Sequence, residues 1–203
     1  MSIYALKPRF QALLRPLAVQ LARTGVTANG VTIAAAVVSI IVGAFVAWHA
    51  PDRTSFLLIP LWMFVRMALN ALDGMLAREF GQQTRLGAFL NELGDVVSDA
   101  ALYFPFAWIP PFSGAWVAAV IVFATMTEFA GAMGPTIGAS RRYDGPFGKS
   151  DRAFAFGALG LWIGLGGPLP EWTAMLFPLF VVLLLATIVN RVHNALIEVK
   201  SSR

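Results

Sequence analysis

Residues 70–99 read NALDGMLAREFGQQTRLGAFLNELGDVVSD, and they place Asp73, Glu92, Asp95 and Asp99, with Asn70 and Asn91 among them, inside two apolar segments. Ionisable residues at membrane depth are expensive and by default mark a functional site. At about 100° per residue, Arg66, Asn70, Asp73 and Ala77 fall within an arc of roughly 60° on the first predicted helix. Asn91, Glu92, Asp95 and Asp99 fall within about 100° on the second. The GQQTR between them is a short polar turn compatible with an antiparallel hairpin, so two rows of oxygen ligands face each other. Carboxylates and amides on facing helices are the ligand type of Mg²⁺ or Mn²⁺.

Composition sets the surroundings of that hairpin. Of 203 residues, 58% are hydrophobic and 13% charged, and the mean hydropathy is +0.70. A soluble globule of this size carries more charge, so the chain is predicted to be an all-α integral membrane protein. Without cysteine it has no disulfide, thiolate metal site or Cys nucleophile. His49 and His193 lie too far apart in the chain to suggest a histidine-based metal site. The formal net charge is +4. Its basic residues cluster in a few connections and form no polar stripe with aromatics, so no nucleic-acid partner is expected.

Outward from the hairpin, six spans are predicted in one domain: 27–48, 55–80, 85–108, 114–137, 153–165 and 172–192. Residues 1–25 precede this bundle (27–195), and 196–203 form a tail. In the first stretch Phe10, Leu13, Leu14, Leu17 and Leu21 follow an i, i+3, i+4, i+7 spacing. Their pattern predicts an amphipathic helix lying in the headgroup layer, with a plain basic flank as the alternative. No secretory signal is evident, because Lys7, Arg9, Arg15 and Arg23 precede an apolar run long enough to span. Of the 15 Lys and Arg residues, 13 lie in the termini, the Arg78 to Arg85 turn and the Arg141 to Arg152 loop, while Arg53 falls in an opposite-side connection and Arg66 in the interior of a span. The positive-inside rule then puts both termini on the cytoplasmic side of an inner (cytoplasmic) membrane. Trp48, Trp108, Trp116 and Trp172 gather at the other face as an aromatic belt would.

The spacing Asn70, Asp73-Gly74, Ala77-Arg78, Gly87, Asn91, Asp95 resembles the signature of the CDP-alcohol phosphotransferases. The resemblance implies a divalent-metal-dependent enzyme of phospholipid biosynthesis, using Mg²⁺ or Mn²⁺ and two ions. It implies metal ligation by Asn70, Asp73, Asn91 and Asp95, with Asp73 bridging and Asp95 as the general base. It also implies nucleotide contacts at Gly74, Ala77, Arg78 and Gly87, although small residues on these faces equally suit helix packing. Family members carry an interfacial helix at the N-terminus and form homodimers. Two departures stand out: the family's first and third aspartates are Asn70 and Asn91 here. A neutral amide binds a hard cation more weakly than a carboxylate. Glu92 and Asp99 share the helical arc and are candidates to restore the missing charge, or else to pair with Arg66.

The loop SRRYDGPFGKSDR brings Arg141, Arg142, Lys149 and Arg152 to the same side. Topology alone accounts for such a cluster, but it also suits an acceptor phosphate, which Arg grips bidentately. Arg66 and Glu128 are expected to pair inside the membrane, Arg66 with Asp99 or Glu128. The first functional reading is transfer of a phosphatidyl group from CDP-diacylglycerol to a small alcohol, with or without a phosphate of its own, with release of CMP and with membrane lipids as surroundings. Two alternatives stand beside it. One is transfer of a phospho-head-group from a soluble CDP-alcohol to diacylglycerol; the other is a non-catalytic relative that binds nucleotide or lipid.

Overall fold

The computed structural model describes residues 6–201, with side chains from Phe10 onward. Among them are seven α-helices and no strand: α1 (Leu6–Arg23), α2 (Ala28–Trp48), α3 (Leu58–Glu79), α4 (Arg85–Tyr103), α5 (Gly114–Met133), α6 (Lys149–Gly164) and α7 (Leu176–Ser201). Short 3-10 turns lead into α3 and α7 and follow α4 and α5. Helix starts lie where side chains can satisfy the orphan amides. The Thr27 hydroxyl accepts from Gly30 N at 3.0 Å, and that of Thr84 accepts from Gly87 N at 2.8 Å. At α6 the Asp151 carboxylate accepts from Gly148 N at 2.9 Å. The residues read as a tail from 196 continue α7 as far as Ser201.

Among the described residues, four segments are long and apolar enough to cross a membrane: Ala28–Trp48, Arg53–Glu79, Gly114–Ile137 and Glu171–Ser201. Of the other two predicted spans, α4 is interrupted by Glu92, Asp95 and Asp99, and α6 has only 16 residues. The apolar stripe of α1 divides. Leu14, Ala18 and Leu21 pack on Leu69, Leu72 and Met75 of α3, while Leu13 and Leu17 point outward. An exposed ion pair from Arg15 to Glu79, 3.2 Å long, joins the same two helices.

Close approach of α2 to α4 is written in small residues. The buried face of α2 is Ala28, Val31, Ala35, Ser39, Gly43 and Val46, and small residues let membrane helices meet backbone to backbone. Gly87 of α4 faces Asn29, Gly94 faces Thr32 and Ala36, and Gly43 faces the Ala101 backbone. These contacts advance by seven residues on both helices, so α2 and α4 run parallel. The pairs Arg66–Asp99 and Asn70–Asp95 run the opposite way, so α3 and α4 are antiparallel; both pack on α2, and they meet through these side chains and not by the close helix packing expected of a hairpin.

The bundle has two unlike ends. One is an aromatic cluster in which Phe106, Phe156 and Phe177 are fully buried and Tyr103 stacks on Phe156 with ring centroids 3.7 Å apart. The other holds the charged side chains of the hairpin. Because a Cβ on Gly43 would press on the Ala101 carbonyl carbon at 2.7 Å, Gly43→Leu should separate α2 from α4. Overpacking of this kind costs about 1–3 kcal/mol. The expected result is a clearly lowered thermal midpoint in detergent; an unchanged midpoint would contradict the close approach.

Candidate active site

Arg66 is 5% exposed on α3, at a depth where a lone guanidinium would be prohibitive. It answers two acids of α4: Asp99 Oδ1 at 2.5 Å and Asp95 Oδ1 at 3.1 Å. Its second η-nitrogen also donates to the Asp95 carbonyl at 3.1 Å. One turn along α3, Asn70 Nδ2 donates to Asp95 Oδ1 at 3.2 Å. Lys149, the first residue of α6, forms an ion pair with the other Asp95 oxygen. The Asp95 carboxylate on α4 is therefore held from two other helices, α3 and α6, each oxygen with its own partner.

Asp99 and Glu128 extend this network across the bundle. Arg152 is 1% exposed and reaches Asp99 Oδ2 at 3.1 Å, Glu128 Oε1 at 2.9 Å and the Thr127 hydroxyl at 3.1 Å. Arg191 of α7 lies 3.6 Å from Glu128 and donates to the backbone carbonyls of Thr127 and Asp144. Arg141 pairs with Glu92 and lies 3.5 Å from Glu128, with its guanidinium 4.7 Å from the Tyr143 ring centre.

Asp73 is different. It is 6% exposed, and Thr32 of α2 donates to its Oδ2 at 2.8 Å. Among the described residues no Lys, Arg or His lies within ion-pair distance of it, whereas Glu92, Asp95, Asp99 and Glu128 each have such a partner. Asn91 sits one turn before Asp95, half-buried. Among the described residues no three His, Cys, Asp or Glu side chains converge as a metal site. The available donors at the hairpin are instead Asp73 with the amides of Asn70 and Asn91. This oxygen-only set suits a hard divalent cation, and the buried carboxylate without a counter-charge calls for one.

Several expected contacts prove to be placed differently. The basic-loop pattern makes Arg152 an expected acceptor contact. It is instead buried inside α6, because the helix begins at Lys149 and turns Arg152 inward, onto Asp99 and Glu128. Arg142 turns toward α7, pairing with Asp144 at 2.8 Å and Glu198 at 2.7 Å. Arg141 and Lys149 remain on the carboxylate side. Of the small residues, Gly74 is covered by its own helix, since a Cβ there would lie 2.9 Å from Arg78 Nη2. Gly87 faces Asn29 Oδ1, which a Cβ would approach to 2.6 Å, and Ala77 packs among Ala28, Val31 and Leu76.

Thr32, Gln82, Thr127 and Arg191 were not singled out in the sequence. Gln82 accepts from Ala28 N at 2.7 Å and so ties the hairpin turn to the start of α2. A hydroxyl beside the small-residue stripe of α2 was the available signal for Thr32. Arg191 read only as a basic flank.

The sequence profile of the CDP-alcohol phosphatidyltransferases matches residues 25–192, and the chain belongs to that family of membrane-bound transferases of phospholipid synthesis. Among its relatives, the inner membrane protein YnbA of Escherichia coli is 47% identical over 197 residues, covering 97% of this chain and 98% of that protein. A phosphatidylinositol phosphate synthase of Mycobacterium marinum is 35% identical over 99 residues, which is 49% of this chain and 41% of that enzyme. The fold is shared with crystal structures of the Mycobacterium tuberculosis phosphatidylinositol phosphate synthase PgsA1. The complex with CDP-DAG has a TM-score of 0.73 at 23% identity, covering 89% of this chain and 92% of the other. The complex with manganese and citrate has a TM-score of 0.72 at 23% identity, covering 89% and 87%.

The loop between α5 and α6 carries the pH-sensitive contact of this region. Burial pushes the Asp144 carboxyl up, but hydrogen bonds from Asn194 and Arg142 outweigh it and hold the group below the ordinary carboxylate range. A depressed carboxylate stabilises the fold above its unfolded pKa, and that contribution disappears as pH falls through the folded value. Asp144→Asn should therefore melt below wild type at neutral pH, with the gap closing as the pH is taken below about 4, near the unperturbed Asp value. A gap independent of pH would contradict the assignment.

Proposed function

We propose that the chain transfers a phosphatidyl group from CDP-diacylglycerol to a small alcohol and releases CMP, in a reaction that depends on a divalent cation. The observation that carries this reading is Asp95, held by Arg66, Asn70 and Lys149 opposite the buried Asp73, on the family's hairpin. A relative's structure with CDP-DAG bound and another with manganese support the choice of donor and of metal.

Asp95 would take the proton from the acceptor's hydroxyl, and its orientation is supplied by Arg66 and Asn70. Arg66 stays charged throughout, so the buried base keeps its counter-ion whether or not it carries the proton. Lys149 and Arg141 face the same space and would bind an acceptor phosphate. As such a phosphate draws the ammonium away, one Asp95 oxygen becomes available for the proton. Asp73, Asn70 and Asn91 would hold the cation, which supplies charge neutralisation at the pyrophosphate. By the family resemblance the cytidine and pyrophosphate would lie beside Gly74, Ala77, Arg78 and Gly87. The reverse donor arrangement, from a soluble CDP-alcohol to diacylglycerol, places the same residues around the same pyrophosphate.

We also read α4 and α6 as spans, which gives six in all, with α1 in the headgroup layer and both termini cytoplasmic. Leu61, Phe64 and Met67 of α3 and Phe89 and Leu93 of α4 form an outward apolar surface suited to lipid or to a second copy in a homodimer. The native chain has no cysteine. Single cysteines at Ser113 and Ser140, on either side of α5, should therefore be labelled from opposite sides of the membrane. Labelling of both from one side would remove the six-span topology.

The direct assay incubates purified protein with CDP-diacylglycerol, Mg²⁺ or Mn²⁺ and a panel of alcohols, and follows CMP. Asp95→Asn should lower kcat by roughly 100-fold to 10,000-fold, the usual contribution of a general base. Lys149→Ala should raise the acceptor's KM more than that of CDP-diacylglycerol, because only the acceptor loses a contact. Near-normal turnover in Asp95→Asn would overturn the mechanism, and equal effects on both KM values would remove Lys149 from acceptor binding.

A further inference from the structure

We infer that this chain takes one divalent cation, seated on Asp73 with the Asn70 and Asn91 amides, where the family resemblance implies two. The inference rests on the transfer reading above and concerns the same site. It starts from how charge is distributed. Asp95 gives Oδ1 to Arg66 and Asn70 and gives Oδ2 to Lys149, so its charge is already balanced by the protein's own cations. Asp99 is shared between Arg66 and Arg152, and Glu92 belongs to Arg141. These two acids, candidates for replacing the family's lost aspartates, are ion-pair partners instead. Asp73 alone among the five carboxylates is left without a cation within ion-pair distance.

Two hard dications about 3.5–4 Å apart bring four positive charges into a small volume and need bridging anions to hold them. Here the ligand positions supply two carboxylates, one of them already balanced, and two neutral amides. That set is sufficient for one ion. Lys149 supplies positive charge beside Asp95. The cationic environment of the pyrophosphate is thus built partly from metal and partly from protein.

Metal stoichiometry tests this without reference to turnover. Purified protein in detergent is titrated with Mn²⁺, and free and bound ion are counted by electron paramagnetic resonance after equilibrium dialysis. Wild type should bind one ion per chain and Asp73→Asn none. The double variant Asn70→Asp/Asn91→Asp should bind two. Thermal melts of each variant establish that the protein counted is folded, and Asn70→Asp alone serves if the double variant does not fold, with a second ion again expected. Two ions on folded wild type, or none, overturns the inference, as does restored aspartate that leaves the count at one. CMP release measured beside it separates the two readings: one bound Mn²⁺ without any transfer defeats the proposed reaction and leaves the stoichiometry standing.

Discussion

Asp99 is held by two guanidiniums, Arg66 of α3 and Arg152 of α6, on a helix that has to lie among apolar neighbours. Unpaired, any of these three charges would be too expensive to bury, and removing one partner from such a pair destabilises by about 3–5 kcal/mol. The pairing therefore dictates which helices stand together. Arg152 goes on to Glu128 of α5, and Glu128 to Arg191 of α7. Thr32 brings in α2 through Asp73. The helices from α3 to α7 are linked by contiguous polar contacts at one end of the bundle, α2 adds its own contact from Thr32 to Asp73, and the aromatic cluster around Phe156 fills the other end.

That division gives the proposed catalytic groups a firm frame. Asp95 does not sit on a loop; it projects from the middle of α4, one turn from Asp99, so its position is set by the same buried pairs that hold the fold. The small residues of α2 contribute from the opposite direction. Because Gly43, Gly87 and Gly94 lie on the line of contact, α2 approaches closely enough for the Thr32 hydroxyl to reach Asp73. Packing by small residues and orientation of a buried carboxylate are one arrangement. Arg191, with no place in the chemistry, holds the carbonyls of Thr127 and Asp144 and thereby positions the loop that leads to Lys149.

Helix ends were legible where composition changes abruptly, as at Thr27, Thr84 and Gly114, since caps and glycines mark them. The hairpin faces were legible because a helix repeats every 3.6 residues, and Arg66 did find Asp99. What a periodic reading cannot supply is which way the first turn of α6 faces. Arg152 stands three residues beyond Lys149 in a basic stretch, and only the depth of Asp99 and Glu128 turns one inward while the other stays at the rim. The partners of Glu92 and the reach of Arg191 across two helices depend likewise on long-range packing. The N-terminal stripe was correctly apolar, yet it serves two surfaces, because α3 takes Leu14, Ala18 and Leu21 and leaves Leu13 and Leu17 outside.

The polarity of α4 also has a meaning for biogenesis. A charged residue at the centre of a helix adds about 2.5–3.5 kcal/mol to the free energy of partitioning into a bilayer, and α4 carries Glu92, Asp95 and Asp99. If α4 spans the membrane as proposed, on its own it has little reason to leave the translocation machinery for lipid. With α3 already waiting, Arg66 can neutralise Asp95 and Asp99 as the hairpin enters, and Arg152 can join only when α6 emerges some fifty residues later. Before that moment Asp99 has one of its two guanidiniums, and the nascent bundle consists of the helices up to α5. The charges that equip the finished protein for chemistry thus also set an order of assembly, in which the last-made helices complete the neutralisation that the first ones begin.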